Sequence, residues 1–107
     1  MAIDEISVSD LHALGPDVVV VDVREDDEWA AGHVPHARHV VLATVPGHLD
    51  AFDGDPTYVM CKVGGRSYRA CEFVAGEGRS VVNVAGGMLA WIEAGFDVTT
   101  GTATTDV

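Results

Sequence analysis

Tyr58-Val59-Met60-Cys61-Lys62-Val63-Gly64-Gly65-Arg66-Ser67 joins a short apolar strand to a helix through a glycine-rich turn that opens on a cysteine. Glycine reaches backbone angles closed to other residues, so Gly64 and Gly65 let successive N–H groups converge on one point. A nest of this kind at a helix N-terminus stabilises negative charge. The charge best placed to occupy it is the thiolate of Cys61. A free thiol titrates near pKa ~8.5, and such surroundings lower that value. Lys62 and Arg66 add positive charge beside it. Strand, turn and helix therefore form one βα unit, with an anion-holding cradle around a nucleophilic sulfur.

On either side of this unit apolar runs alternate with amphipathic helical ones, the pattern of an α/β domain with a largely parallel sheet. Ser7 to Leu14 reads as a helix capped by Ser7 or Ser9 and ended by Gly15-Pro16. Val18 to Val21 is a β-branched run without alternation, hence a strand buried on both faces, with Asp22-Val23-Arg24 at its end. Glu25 to Ala31 is an acidic helix closed by Gly32, and His33-Val34-Pro35-His36-Ala37 turns into a strand over Arg38–Val41. Leu42 to Phe52 is read as a helix with Pro46 in its first turn. After the turn Asp53-Gly54-Asp55-Pro56, Thr57–Met60 is the strand that delivers Cys61, and Ser67–Ala75 is the helix behind the cradle. Val81–Val84 is a further buried strand, followed by Gly86-Gly87 and a helix through Ala94. Open α/β sheets bind ligands at the carboxyl ends of their strands, and Asp22, Cys61 and Ala85-Gly86-Gly87 all fall at such ends.

A chain of 107 residues holds one domain. With 17 acidic and 6 basic residues its formal net charge is -11, which argues against nucleic acid and anionic membrane surfaces as partners. The local field can still oppose the global one, since salt screens charge over ~8 Å. Lys62, Arg66 and Arg69 are half of the 6 basic residues. No apolar run approaches the ~20 residues of a membrane span. The N-terminus lacks the basic and apolar regions of a signal peptide, so a cytoplasmic protein with reduced thiols is expected. Cys71 falls one turn inside the cradle helix and is read as a packed thiol, unpaired with Cys61. Cys-x-x-Cys is absent. His33, His36 and His39 recur every third residue, but a proline turn does not bring them to one face, and no metal is expected. His33 is instead read as a hydrogen bonder bracing its turn. Thr99 to Val107 is polar and expected to be disordered.

Four stretches together resemble the rhodanese-like domain, the single-domain sulfurtransferase family. They are Val20-Val21-Asp22-Val23-Arg24-Glu25 with Glu28-Trp29; Gly32-His33-Val34-Pro35 with Ala37; Cys61 to Ser67; and Gly86-Gly87-Met88-Leu89-Ala90-Trp91 with Gly95. His36 stands where members more often carry glycine. The resemblance implies one domain over residues 1–98, with a five-stranded, mostly parallel sheet flanked by helices on both faces. It implies that Cys61 accepts a sulfane sulfur as a persulfide and passes it to cyanide or a thiol. No cofactor is implied.

In that chemistry the thiolate attacks the outer sulfur of a small anionic donor such as thiosulfate, and sulfite leaves. Arg66 would offer a planar fork to the sulfonate oxygens and Lys62 a point charge. Backbone N–H groups over Lys62, Val63, Gly64, Gly65, Arg66 and Ser67 would hold the persulfide. The Ser67 hydroxyl either donates to the sulfur or caps the helix, and the residues leave both open. Asp22, Arg24, His33, Gly86 and Gly87 are read as supporting residues, with Asp22 and Arg24 as a structural ion pair. Arg69 is read as a surface residue, and Trp29 and Trp91 as packing. Two other functions compete. Cysteine-dependent phosphatases and arsenate reductases share the cysteine–loop–arginine order, but the phosphatases place one more residue between the two than the run Lys62–Gly65 does here. A sulfur-relay or binding module charged by a protein partner would carry the same residues, and the acidic surface makes a basic partner the expected one.

Overall fold

The computed structural model describes residues 2–101. Its elements in chain order are β1 (Glu5–Ser7), α1 (Val8–Ala13), β2 (Val20–Asp22), α2 (Asp26–Ala31) and β3 (Arg38–His39). Two 3₁₀ helices (Leu42–Gly47, Leu49–Ala51) then lead to β4 (Thr57–Met60), α3 (Gly65–Gly76), β5 (Val81–Ala85) and α4 (Gly87–Glu93). The strands form one sheet in the order β1-β5-β4-β2-β3, and every pairing is parallel. β4 is thus central, and Cys61 follows its last residue.

Alternation along the strands sends side chains to opposite faces of the sheet. Val21, Val23, Val59 and Cys61 face one way and pack with Ala70, Cys71 and Val74 of α3 and with Val45 and Phe52. Val20, Met60 and Val84 face the other way, against Val8 and Leu11 of α1 and Met88 and Trp91 of α4. Burial on both faces explains why these strands read as unbroken apolar runs.

Several boundaries differ from the sequence reading. β1 was not expected as a strand: Glu5 to Ser7 is too short and too exposed to show an apolar run, and it is specified by its register against Asn83–Ala85. β2 starts two residues later than the valine run and ends on Asp22, while β3 is shorter than Arg38–Val41. Leu42–Phe52 does not form one α-helix. Pro46 sits inside the first 3₁₀ helix, where it supplies no N–H, and His48 at φ -133° breaks the path. The bonds there span three residues, from Thr44 N–H to Val41 O at 2.8 Å and from Phe52 N–H to Leu49 O at 3.0 Å. Ser7 is the cap of α1, accepting from the Asp10 N–H at 3.1 Å. The expected disordered segment from Thr99 meets a paired start: Thr99 bridges His33, and the Gly101 N–H reaches Ala30 O at 2.8 Å. Its remainder, 102–107, lies outside the described residues. No helix among the described residues is long and apolar enough to cross a membrane.

Candidate active site

α3 begins at Gly65, two residues earlier than expected, and its N-cap is Gly64 at φ +114°. That angle is open to glycine and strained for any other residue, and it turns the chain so that the loop's N–H groups face Cys61. The Gly64 N–H donates to Cys61 Sγ at 3.1 Å, and the Ser67 hydroxyl reaches Sγ at 3.3 Å. Ser67 is therefore not the helix cap. It lies in the first turn, fully buried, with its hydroxyl turned to the sulfur.

Burial of Cys61 opposes its charged form. Hydrogen bonds from the Ser67 hydroxyl and from the N–H groups of Ser67, Gly64 and Val63 outweigh burial, and the thiol titrates below its ordinary value. Cys71, ten positions on, lacks such bonds: burial in the apolar core, aided by the negative charges of Glu5 and Cys61, pushes its thiol up to about 12. Both cysteines are free.

The glycines at the start of α4 shape the loop from behind. The Met88 N–H donates to Cys61 O at 2.8 Å and the Leu89 N–H to Lys62 O at 3.0 Å. These bonds engage the loop carbonyls and leave its N–H groups for the sulfur. A β-carbon on Gly87, at φ +54°, would stand 2.6 Å from Lys62 O and also meet the carbonyl of Cys61. Only glycine allows that approach.

Asn83 and Glu28 complete the site, and neither was among the candidates read from sequence. Asn83, on β5 and 1% exposed, sets its Oδ1 2.6 Å from the Ser67 hydroxyl, whose single proton is shared between that oxygen and Cys61 Sγ. Its Nδ2 donates to Glu5 Oε2 at 2.7 Å and to Gly64 O at 3.1 Å. It thereby ties down Ser67 and Gly64, two of the three residues whose hydrogens face the sulfur. Glu28 of α2 takes Arg66 in a fork, NH1 to Oε1 at 2.7 Å and NH2 to Oε2 at 2.9 Å. Asn83 had one sequence signal, a polar residue inside an apolar strand. Glu28 had only its place in a family motif.

Lys62 is exposed, and its side chain makes no hydrogen bond or ion pair among the described residues. Val63 is exposed at the loop tip, and Arg69 is exposed one turn along α3. Asp22 and Arg24 form a buried pair: Arg24 Nε lies 3.0 Å from each carboxylate oxygen and NH2 lies 2.9 Å from Oδ2. NH2 also reaches Gly32 O at 2.6 Å, which fixes the end of α2 against the sheet. His33 braces its turn through Nδ1, 2.8 Å from Trp29 O, with its ring stacked 3.5 Å from that of Trp29.

The model of the Rhodanese-like domain matches residues 7–94, most of the chain and all of the site just described except Glu5. The chain belongs to this family. Among relatives, a putative sulfurtransferase of Bacillus subtilis is 38% identical over 95 residues, covering 85% of this chain and 92% of that protein. A thiosulfate sulfurtransferase of Pseudomonas putida is 40% identical over 75 residues, 68% of each chain. A rhodanese-related protein of Thermoplasma volcanium superposes with a TM-score of 0.83 at 30% identity, covering 90% of this chain and 97% of that one. The sheet with helices on both faces is thus shared with the solved relative.

Proposed function

We propose that this protein is a sulfurtransferase that carries a sulfane sulfur on Cys61 as a persulfide. The observation that carries the reading is the convergence of Gly64 N–H and the Ser67 hydroxyl on a buried Sγ at the start of α3. Names of relatives support the same class, and that of the Pseudomonas putida protein supports thiosulfate as donor.

The thiolate of Cys61 bonds to the outer sulfur of thiosulfate, the sulfur–sulfur bond of the donor breaks, and sulfite leaves with the electron pair. The persulfide anion that remains extends the negative charge by one atom into the loop, where fixed N–H groups hold it without reorganising. A thiol or cyanide then attacks the outer sulfur and restores the thiolate. Cys71, held as a neutral thiol, takes no part. Thiocyanate formation from thiosulfate and cyanide tests this. Activity should vanish in Cys61→Ser and persist in Cys71→Ser; activity that survives Cys61→Ser would refute it.

A second reading, sulfur delivery by a protein partner, is favoured by apolar side chains beside the loop. Val63 is 59% exposed and Leu89, whose N–H holds Lys62 O, is 44% exposed. With a formal net charge of -11, such a partner would be basic and its binding would weaken with salt. Complex formation indifferent to salt would count against it.

A further inference from the structure

The arginine that a sulfonate would need is already engaged. Both terminal nitrogens of Arg66 lie on the two carboxylate oxygens of Glu28, at 2.7 and 2.9 Å. This is the fork geometry that an oxyanion donor would otherwise adopt. Glu28 is not a mobile surface carboxylate that happens to meet a cation. It is the third residue of α2 and closes a capping box with Glu25, whose N–H donates to Oε1 at 3.1 Å. One oxygen is thus held by its own helix and by Arg66 together. Arg66 holds the Glu28 carboxyl down to about 2, opposed by partial burial and aided by the Glu25 N–H and Arg24, so the group stays charged at working pH. Glu25 adds a further negative charge facing Arg66. Of the cations on the loop, Lys62 alone is unpaired among the described residues.

We propose that Glu28 is a specificity-determining residue that competes with anionic donors for Arg66, so that the site discriminates by charge among sulfane-sulfur donors. This rests on the sulfurtransferase reading above and names the donor class that the resting site disfavours. A dianion such as thiosulfate must loosen a formed ion pair and approach a second carboxylate. A monoanion that transfers the same sulfur meets less repulsion. The methanethiosulfonate anion, CH3SO2S⁻, is such a donor: the thiolate bonds to its terminal sulfur, the bond to the sulfonyl sulfur breaks, and methanesulfinate leaves with the electron pair. The two donors present the same kind of sulfur and differ by one charge.

The test is single-turnover loading of Cys61 by each anion, followed by intact mass spectrometry, for wild type, Glu28→Gln and Glu28→Ala. Glutamine keeps an oxygen for the Glu25 N–H, so the capping box survives while the charge goes. The ratio of the thiosulfate to the methanethiosulfonate rate constant should rise about tenfold in Glu28→Gln, with a rise of the same direction in Glu28→Ala. A ratio that stays within twofold of wild type in both variants, or that falls, would overturn the proposal while leaving the persulfide reading intact. Wild-type protein that takes sulfur from neither anion would overturn the persulfide reading, and this inference with it.

Discussion

Arg24→Ala should be among the most destabilising single changes in the domain. Asp22 is fully buried, and Arg24 is 6% exposed. Truncation removes the contacts from Nε to both carboxylate oxygens at 3.0 Å and from NH2 to Oδ2 at 2.9 Å, leaving an unpaired charge in the sheet. Breaking a buried pair this way costs about 3–5 kcal/mol. The Gly32 carbonyl loses its 2.6 Å partner as well, a further ~1 kcal/mol. Against a total of about 5–15 kcal/mol for a small domain, the loss is large. At roughly 4–8 °C per kcal/mol for a chain of this size, the melting temperature should fall by about 15–50 °C. Urea titration followed by tryptophan fluorescence reads it, since Trp29 and Trp91 are each 3% exposed in the fold. The companion variant, Asp22→Leu with Arg24→Met, removes both charges and should recover at least ~2 kcal/mol of the loss. A single variant within ~1 kcal/mol of wild type, or a double variant no better than the single, would refute the assignment of Asp22–Arg24 as a desolvated structural pair.

Three other expectations follow from the site. Ser67→Ala removes a hydrogen bond that favours the thiolate over the thiol, so the Cys61 titration should move to higher pH. At pH 7 alkylation by iodoacetamide should slow by about tenfold, and a rate unchanged from wild type would put the hydroxyl outside the cradle. In native wild-type protein at pH 8 the same reagent should label Cys61 alone, because its thiol titrates below the ordinary value while that of Cys71 is pushed up to about 12; mass spectrometry should find the second label only after unfolding. Glu28, held down to about 2 by Arg66, contributes stability that is fully present above the ordinary carboxyl value and lost as pH falls toward 2. The pair is partly exposed, so the gap in unfolding free energy between wild type and Glu28→Gln should be about 1 kcal/mol at pH 6 and close by pH 2. A gap that widens on acidification would contradict the sign.

What could be read from the chain was whatever lay within one strand, turn or helix. Cys61, Gly64, Arg66 and Ser67 are neighbours, so their chemistry and their common end of the sheet were visible in the residues alone. The exact start of α3 was not. Gly64 caps the helix through its positive φ rather than through a side chain, whereas the residues alone left Ser67 open as either cap or donor to the sulfur. Glu28 and Asn83 were hidden for a different reason. Their partners lie 38 positions away at Arg66 and 16 away at Ser67, and Glu5 is 78 from Asn83. Those meetings depend on the sheet order, which places β2 and β5 on either side of β4 and β1 beside β5. Glu5-Ile6-Ser7 lacked any apolar run for the same reason it is a strand: it is an edge, shaped by its neighbour. Leu42–Phe52 carried helical spacing, but a proline and the His48 break divided it into 3₁₀ turns.

The arrangement assigns separate tasks to separate parts of the fold. The loop's N–H groups and Ser67 hold charge on the sulfur; Asn83 holds Ser67 and Gly64; α4, through Met88 and Leu89, holds the loop carbonyls away. The buried Asp22–Arg24 pair fixes the end of α2, on which Glu28 reaches Arg66. Each link is a named contact, so each can be removed on its own.

The central claim is that Cys61 carries the transferred sulfur. Reduced protein incubated with thiosulfate, desalted and weighed by intact mass spectrometry tests it directly. The account predicts a gain of one sulfur atom in wild type and in Cys71→Ser, reversed by cyanide and absent in Cys61→Ser. A gain that persists in Cys61→Ser, or no gain in wild type, would contradict it.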